Sequence, residues 1–339
     1  MNDKNILIVT EVNERVASGH LFECIICYEE LRKEMNVHLL VNKDMPIKFK
    51  EKLPDDYIEY KSNIQTEMVT LINYIVEYSI SLILFNLREI KNDFIKEIRR
   101  NSDIGIICID EFGHRALDAD VIINPMINEK YWRYTSKAML YCGAEYLVLP
   151  TKIAQYHKVD EPINNNVRLI TVSMGGVDAP GTTLKMAQWL PYIMNDIHIN
   201  LVLGGGFLYK KELERIVGDN SNITVYQNID FLYDLFLKSD LAICAGGNTL
   251  HELAVMGVPT LVIPSMPHEL DNGRTFQKMG FSVCCDMAEQ ITEQNFKKCM
   301  NGIEDFTVRT NMKRCGKQIA DGNGAGRVCR IIKEYIEKK

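Results

Sequence analysis

At 339 residues, with 46% hydrophobic and 25% charged side chains, the chain has the balance of ordinary globular protein and exceeds what one hydrophobic core usually organises. A formal net charge of -6 provides no overall attraction to nucleic acid or to an anionic membrane, and no apolar run reaches the roughly 18 residues of a spanning helix, so neither is expected as a partner. The polar start, Met1 to Lys4, leads directly into an apolar run without a signal-type segment, and the expectation is a cytoplasmic protein of two domains.

In chain order, short β-rich runs alternate with helical patterns. Ile6 to Val9 is followed by a helical stretch from about Leu21 to Lys33, then by strand-like runs at Val37 to Val41, Leu82 to Phe85, Ile106 to Ile109 and Val121 to Ile123. Alternation of this kind predicts a parallel sheet wound with helices. The polar stretch Gln155 to Asn166 reads as a linker, which puts the domains at 1–155 and 156–339. Beyond it the alternation restarts with Leu169 to Ser173, His198 to Leu203, Thr224 to Tyr226, Leu241 to Cys244 and Thr260 to Ile263, with a helix over Leu184 to Met194. The expected fold class is α/β, two Rossmann-like doubly wound domains facing a cleft.

The 10 cysteines are scattered through apolar runs and read as reduced and buried. Cys24 and Cys27 have redox-motif spacing, but they lie on a helical apolar pattern with no second ligand pair nearby, so neither a metal nor any other cofactor is expected.

Ligands of open parallel sheets sit beyond the carboxyl ends of the strands, so the loops there carry the candidate chemistry. Ser18-Gly19-His20 opens the first helix; its glycine lets a ligand approach the backbone, and the positive helix end keeps the His20 imidazole neutral, as a general base requires. Ser18 as a simple cap and His20 as a solvated first-turn residue is the competing account. Gly175-Gly176, with Asp178 after them, form a strand-to-helix turn suited either to phosphate or to capping. Gly204-Gly205-Gly206 repeat the theme. Gly246-Gly247-Asn248-Thr249 make the strongest local signal, an anion cradle at a helix start, with Glu252 one turn on to accept ribose hydroxyls. Thr249 and Glu252 also have capping-box spacing. His268-Glu269, following Pro267, are a polar cluster able to contact a sugar ring.

Taken in order, Gly19-His20, Ile109-Asp110-Glu111, Asp120 to Pro125, Gly143 to Tyr146, Ser173 to Asp178, Ser239 to Ile243, and Ala245 to Thr249 with Glu252 resemble the UDP-sugar hydrolase of pseudaminic acid biosynthesis and the wider SpsG-like group, which share GT-B architecture with the MurG glycosyltransferases. The resemblance implies UDP held mainly by the second domain. It puts diphosphate at Gly246 to Thr249 with Gly175 and Gly176, ribose at Glu252, and uracil near Asn228 and Ile229. It further implies His20 as the base that activates water at the anomeric carbon, with Asp110 beside it. Ser18, Gly19, Asn86, Glu111, His268 and Glu269 are then expected on the sugar side. The sequence departs from the family where Phe85-Asn86-Leu87-Arg88 lacks its aspartate and tyrosine, where Leu147 to Pro150 lacks its arginine, and where His268-Glu269 replaces Asn-Gln. Glycosyl transfer and a non-catalytic nucleotide-sugar-binding subunit are the alternatives.

Overall fold

Strands of a parallel sheet covered on both faces are apolar along their length, and crossover helices bury one stripe each; this chain follows both rules twice. The computed structural model describes residues 4–12, 19–110, 113, 116–194, 196–227 and 229–339. Ser18, Glu111 and Asn228 therefore lie outside the described residues.

Among the described residues the strands are β1 (Asn5–Thr10), β2 (Asn36–Asn42), β3 (Ile58–Tyr60), β4 (Ile80–Asn86), β5 (Gly105–Ile109), β6 (Val121–Asn124) and β7 (Met139–Cys142), then β8 (Leu169–Ser173), β9 (His198–Leu203), β10 (Ile223–Gln227), β11 (Leu241–Cys244), β12 (Thr260–Val262) and β13 (Ser282–Cys284). The helices are α1 (Gly19–Leu31), α2 (Ile47–Lys50), α3 (Met68–Glu77), α4 (Asn92–Asn101), α5 (Ile153–His157), α6 (Thr182–Ile193), α7 (Lys210–Val217), α8 (Leu232–Lys238), α9 (Asn248–Met256), α10 (Pro267–Lys278), α11 (Glu293–Asn301), α12 (Phe306–Ile319) and α13 (Gly324–Lys338). One sheet runs β3-β2-β1-β4-β5-β6-β7 and the other β10-β9-β8-β11-β12-β13, all pairs parallel. In each sheet the winding reverses direction once, between β1 and β4 and between β8 and β11.

Alternation along the strands of the first sheet supplies two cores. Ile6, Ile8, Leu82, Leu84, Ile107 and Ile109 face α1 and α13, whereas Leu7, Val9, Ile83, Phe85, Ile106 and Cys108 face α3 and α4. Cys24 and Cys27 are buried in the first of these cores. In the second sheet, Ile170, Val172, Ile199, Leu201, Ile243 and Leu261 pack with Met186 and Leu190 of α6, Phe296 of α11 and Met312 of α12.

The chain divides into Met1–Thr151 with Gly322–Lys339 as one unit and Lys152–Asp321 as the other. The polar stretch after residue 155 predicts a single crossing between domains, with the C-terminal segment in the second; the structure returns that segment to the first unit. The difference has a physical cause. Ala325, Val328, Cys329, Ile332 and Ile336 recur at helical spacing on α13, and this stripe belongs to the core that covers α1 and the first sheet. At Gly324 a Cβ would stand 1.9 Å from the carbonyl oxygen of Leu147, so only glycine permits the helix to start so close to that backbone. The stretch read as a linker is tied down within the second unit: Asn164 donates to Asp240 at 2.7 Å, Arg309 to the Asn165 carbonyl at 2.8 Å, and Lys317 to the His157 carbonyl at 2.9 Å.

Ile332 is fully buried. Ile332→Ala is expected to destabilise the protein by about 2–5 kcal/mol in urea unfolding, whereas Glu334→Ala on the exposed face of the same helix stays within about 0.5 kcal/mol. Equal effects of the two would contradict the placement of α13.

Candidate functional site

A parallel sheet leaves a crevice at its carboxyl edge where the winding reverses, because the flanking loops there depart to opposite faces. In the first unit this point lies between β1 and β4, whose last residues Thr10 and Asn86 are register partners. The loop leaving β1 is pinned by Asn42 at the end of β2, which accepts from the Val12 amide and donates to the Val12 carbonyl, both at 2.8 Å. The chain then enters α1 at Gly19 and His20.

His20 Nδ1 lies 2.7 Å from Asn86 Oδ1, and Asn86 Nδ2 donates to Glu23 Oε2 at 2.8 Å. Glu23 is one turn beyond His20 on the same face of α1 and is 3% exposed; Asn86 is fully buried. Asn86 was expected to touch sugar. Its amide instead joins His20 to Glu23, which makes it a partner of the histidine. Glu11, in the loop after β1, has its carboxyl pushed above the usual range by burial, opposed by the charges of His20 and Arg88.

Asp110 follows β5, the next strand over, and is buried. Its Oδ2 accepts from the Tyr134 hydroxyl at 3.0 Å, and Asn124 Nδ2 donates to that hydroxyl at 2.7 Å. Burial, and then the neighbouring Asp110 charge, hold the Tyr134 phenol well above its ordinary pKa. A concavity of about 1100 Å³ opens among the strand starts Asn5, Asn36 and Ile58, at the opposite end of the sheet from His20.

In the second unit four loops gather at the carboxyl edge of the sheet. Gly175 has φ +82°, and the Gly176 carbonyl accepts from the Gly206 amide at 2.9 Å. A Cβ on Gly204 would clash with the carbonyl oxygens of both Gly175 and Gly176, so glycine at 204 is needed to let the two loops touch. Asp178 takes the capping role: its carboxylate accepts from the amides of Thr182 and Thr183 at 2.9 and 2.8 Å, at the start of α6.

Across the winding reversal, β11 runs into Gly246 and Gly247 and then α9. Gly246 has φ +111°, and its carbonyl accepts from the buried Asn272 of α10 at 3.2 Å. Gly247 is the N-cap of α9 and provides no side-chain cap, and Asn248, the first helical residue, is exposed, so the helix start presents its amides outward. The Thr249 and Glu252 spacing does not form a capping box. Glu252 Oε1 accepts instead from the Tyr233 hydroxyl of α8 at 2.7 Å. Burial raises the Glu252 carboxyl above its usual pKa, opposed by that hydrogen bond and by Lys152. Lys152 stands 5.3 Å over the Tyr233 ring, and Tyr156 meets the ring edge-on at 5.3 Å.

Glu269, expected on the sugar side, closes its own loop: Oε2 accepts from the amides of Ser265 and Met266 at 2.8 and 3.1 Å, while its backbone oxygen abuts Gly246. His268 is exposed on the first turn of α10, and Ile229 is half-buried past β10. The structure thus brings Gly175, Gly176, Gly246, Gly247, Asn248, Thr249 and Glu252 to one sheet edge, and Gly19, His20, Asn86 and Asp110 to the other sheet's edge. Glu23, Tyr233 and Asn272 were missed. For Glu23 the signal was present: a carboxylate on the apolar face of α1 among Leu21, Cys24 and Cys27.

Two doubly wound parallel sheets in this order define the GT-B fold, and solved structures of that class cover the whole chain. MurG from Acinetobacter baumannii matches with a TM-score of 0.72 at 15% identity over 98% of this chain and 99% of that one. The S. aureus MnaA–UDP co-structure matches with 0.67 at 14% over 98% and 97%. No family model matches the chain. In sequence it is similar to the spore coat polysaccharide biosynthesis protein SpsG of Bacillus subtilis, 24% identical over 77% of this chain and 78% of that protein. It is also similar to the UDP-N-acetylglucosamine--N-acetylmuramyl-(pentapeptide) pyrophosphoryl-undecaprenol N-acetylglucosamine transferase of Acetivibrio thermocellus, 23% identical over 62% of this chain and 59% of that one. No helix among the described residues is long and apolar enough to cross a membrane.

At Gly246 an added methyl meets the Glu269 carbonyl at 2.9 Å in a backbone conformation closed to other residues, whereas nothing lies within 4 Å of a Cβ on Gly176. Gly246→Ala is expected to lower stability by about 1–3 kcal/mol and Gly176→Ala by less than about 0.5 kcal/mol in urea unfolding. A reversed order would show that the loop is built otherwise.

His251 of α9 is buried edge-on against Phe276 at 4.9 Å, and burial depresses its pKa to about 4 from 6.5. The unfolded chain takes up this proton below about 6.5 and the folded chain does not until about 4. The stabilisation is therefore complete above pH 6.5 and falls by roughly 3 kcal/mol across that window. His251→Leu is expected to flatten the pH dependence of unfolding between pH 6.5 and 4; an unchanged slope would refute the assignment.

Proposed function

We propose that the protein is a nucleotide-sugar hydrolase that releases UDP from a UDP-activated acetamido-deoxy sugar in polysaccharide or nonulosonic acid biosynthesis. The observation that carries the reading is His20, held at the winding reversal of the first unit with one ring nitrogen engaged by Asn86. Its Nε2 takes a proton from water as the water oxygen bonds to the anomeric carbon, and the bond from that carbon to the diphosphate oxygen breaks with UDP as leaving group. The glycine turns at Gly175 to Gly176 and Gly246 to Gly247, with the α9 amides and Asn248 and Thr249, receive the diphosphate. Glu252, oriented by Tyr233, accepts the ribose hydroxyls, and Ile229 lies by the base. Gly19 and His268 are on the sugar side, and Asp110, at the end of the neighbouring strand, orients the water or the sugar. Similarity to SpsG and to a fold represented with bound UDP supports this reading.

Glycosyl transfer is the second reading, favoured by the similarity to the pyrophosphoryl-undecaprenol N-acetylglucosamine transferases; the same base then deprotonates an acceptor hydroxyl. The purified protein is incubated with UDP-N-acetylglucosamine and other UDP- and CMP-sugars without acceptor, and nucleotide release is followed by chromatography. Hydrolysis predicts UDP release that His20→Ala reduces by about 10²- to 10⁴-fold while UDP affinity, read by calorimetry, is retained. UDP binding with no release would overturn hydrolysis and favour transfer; release at an unchanged rate in His20→Ala would remove the histidine from the mechanism.

A further inference from the structure

The buried pair behind His20 has a chemistry of its own. An imidazole nitrogen facing an amide group is a donor or an acceptor according to which end of the amide it meets. Asn86 presents its oxygen, at 2.7 Å from His20 Nδ1, and that oxygen only accepts, so Nδ1 carries the proton. The orientation of the amide is set on its far side, where Nδ2 meets Glu23 Oε2 at 2.8 Å. A carboxylate only accepts, so a flipped Asn86 would set two oxygens against each other and leave its NH₂ group facing the histidine. Asn86 is fully buried and Glu23 is 3% exposed, so water does not readily substitute for either contact.

We infer that Glu23 and Asn86 are positioning residues that fix the Nδ1–H tautomer of His20, so that Nε2 is the nitrogen with the lone pair. This rests on the reading of His20 as the base. The electrostatic neighbourhood is mixed: Glu11 from the β1 loop and Glu23 from α1 are acidic, Arg88 from the β4 loop is basic, and the α1 amino end is positive. The assignment turns on hydrogen-bond direction, which none of these charges dictates. A neutral amide between histidine and carboxylate orients the ring while keeping the full negative charge one residue away. Proton flow is then confined to Nε2: the proton gained there from water or acceptor returns to solvent after nucleotide departure, and Nδ1–H is retained throughout.

The test reads the ring directly. Full-length protein carrying ¹⁵N-histidine is studied by long-range ¹H–¹⁵N correlation at a pH where the rings are neutral, with His20 identified by the signal lost in His20→Gln. The expected result is a protonated Nδ1 and an unprotonated Nε2. Asn86→Asp, whose carboxyl shares a proton with Glu23 on one side while its other oxygen still accepts from Nδ1, is expected to keep that signature. Asn86→Ala and Glu23→Gln, whose new NH₂ group allows Asn86 to flip, are expected to shift the ring toward the Nε2–H form. UDP release should fall by about 10²-fold or more in Asn86→Ala and return to within about 10-fold of the parent in Asn86→Asp. An Nε2–H ring in the unmodified protein overturns the inference, and so does an Nδ1–H ring that survives in a folded Asn86→Ala. If Asn86→Ala does not fold, the unmodified and Asn86→Asp spectra decide. The ring signature needs no substrate: an Nδ1–H ring without UDP release from any sugar defeats the hydrolase reading and leaves the tautomer assignment standing.

Discussion

In an all-parallel sheet, each strand is reached by a right-handed crossover packed on one face, and a helix can cover the other face only if the winding turns back from a central strand. That constraint, obeyed once between β1 and β4 and again between β8 and β11, determines where each sheet leaves a crevice at its carboxyl edge. At each reversal, adjacent strands end side by side while their following loops part. Side chains or amides at those ends face space that the fold itself cannot fill. His20 and the Gly246 to Thr249 turn occupy these two places.

The two edges solve the polar problem differently. In the second unit the backbone itself forms the edge: glycines bring carbonyls and amides close to one another, and Asn272, Glu269 and Asp178 satisfy the groups that the turns leave over. In the first unit a side chain stands at the edge, and its support is a buried polar chain running from Glu23 through Asn86 to His20. Polar groups this deeply buried are tolerable only when bonded, which also makes their geometry unique. Stability and orientation are here the same requirement.

Much of the fold was legible because buried parallel strands are written as apolar runs, as in Ile6 to Val9 or Leu241 to Cys244. The strands that escaped notice are short edge or near-edge pieces. β3, β7 and β13 span Ile58–Tyr60, Met139–Cys142 and Ser282–Cys284, and β7 is exposed or half-buried along its length. The glycine turns could be read from spacing because backbone approach demands glycine at fixed offsets. Asn86 could be read as belonging near the site, but its role could not, since its partners lie 66 and 63 residues away in the chain. Likewise, the apolar stripe of α13 announces a buried face without saying which sheet it covers.

Because 322–339 complete the hydrophobic core begun by β1, the second unit is an insertion within the first, entered at Lys152 and left at Asp321. During synthesis the inserted unit has all of its strands and helices available while the earlier one still lacks the helix that seals one face of its sheet. The unit that is begun first closes only after 322–339 have emerged, and until then the apolar face beside α1 is a surface that a chaperone can hold.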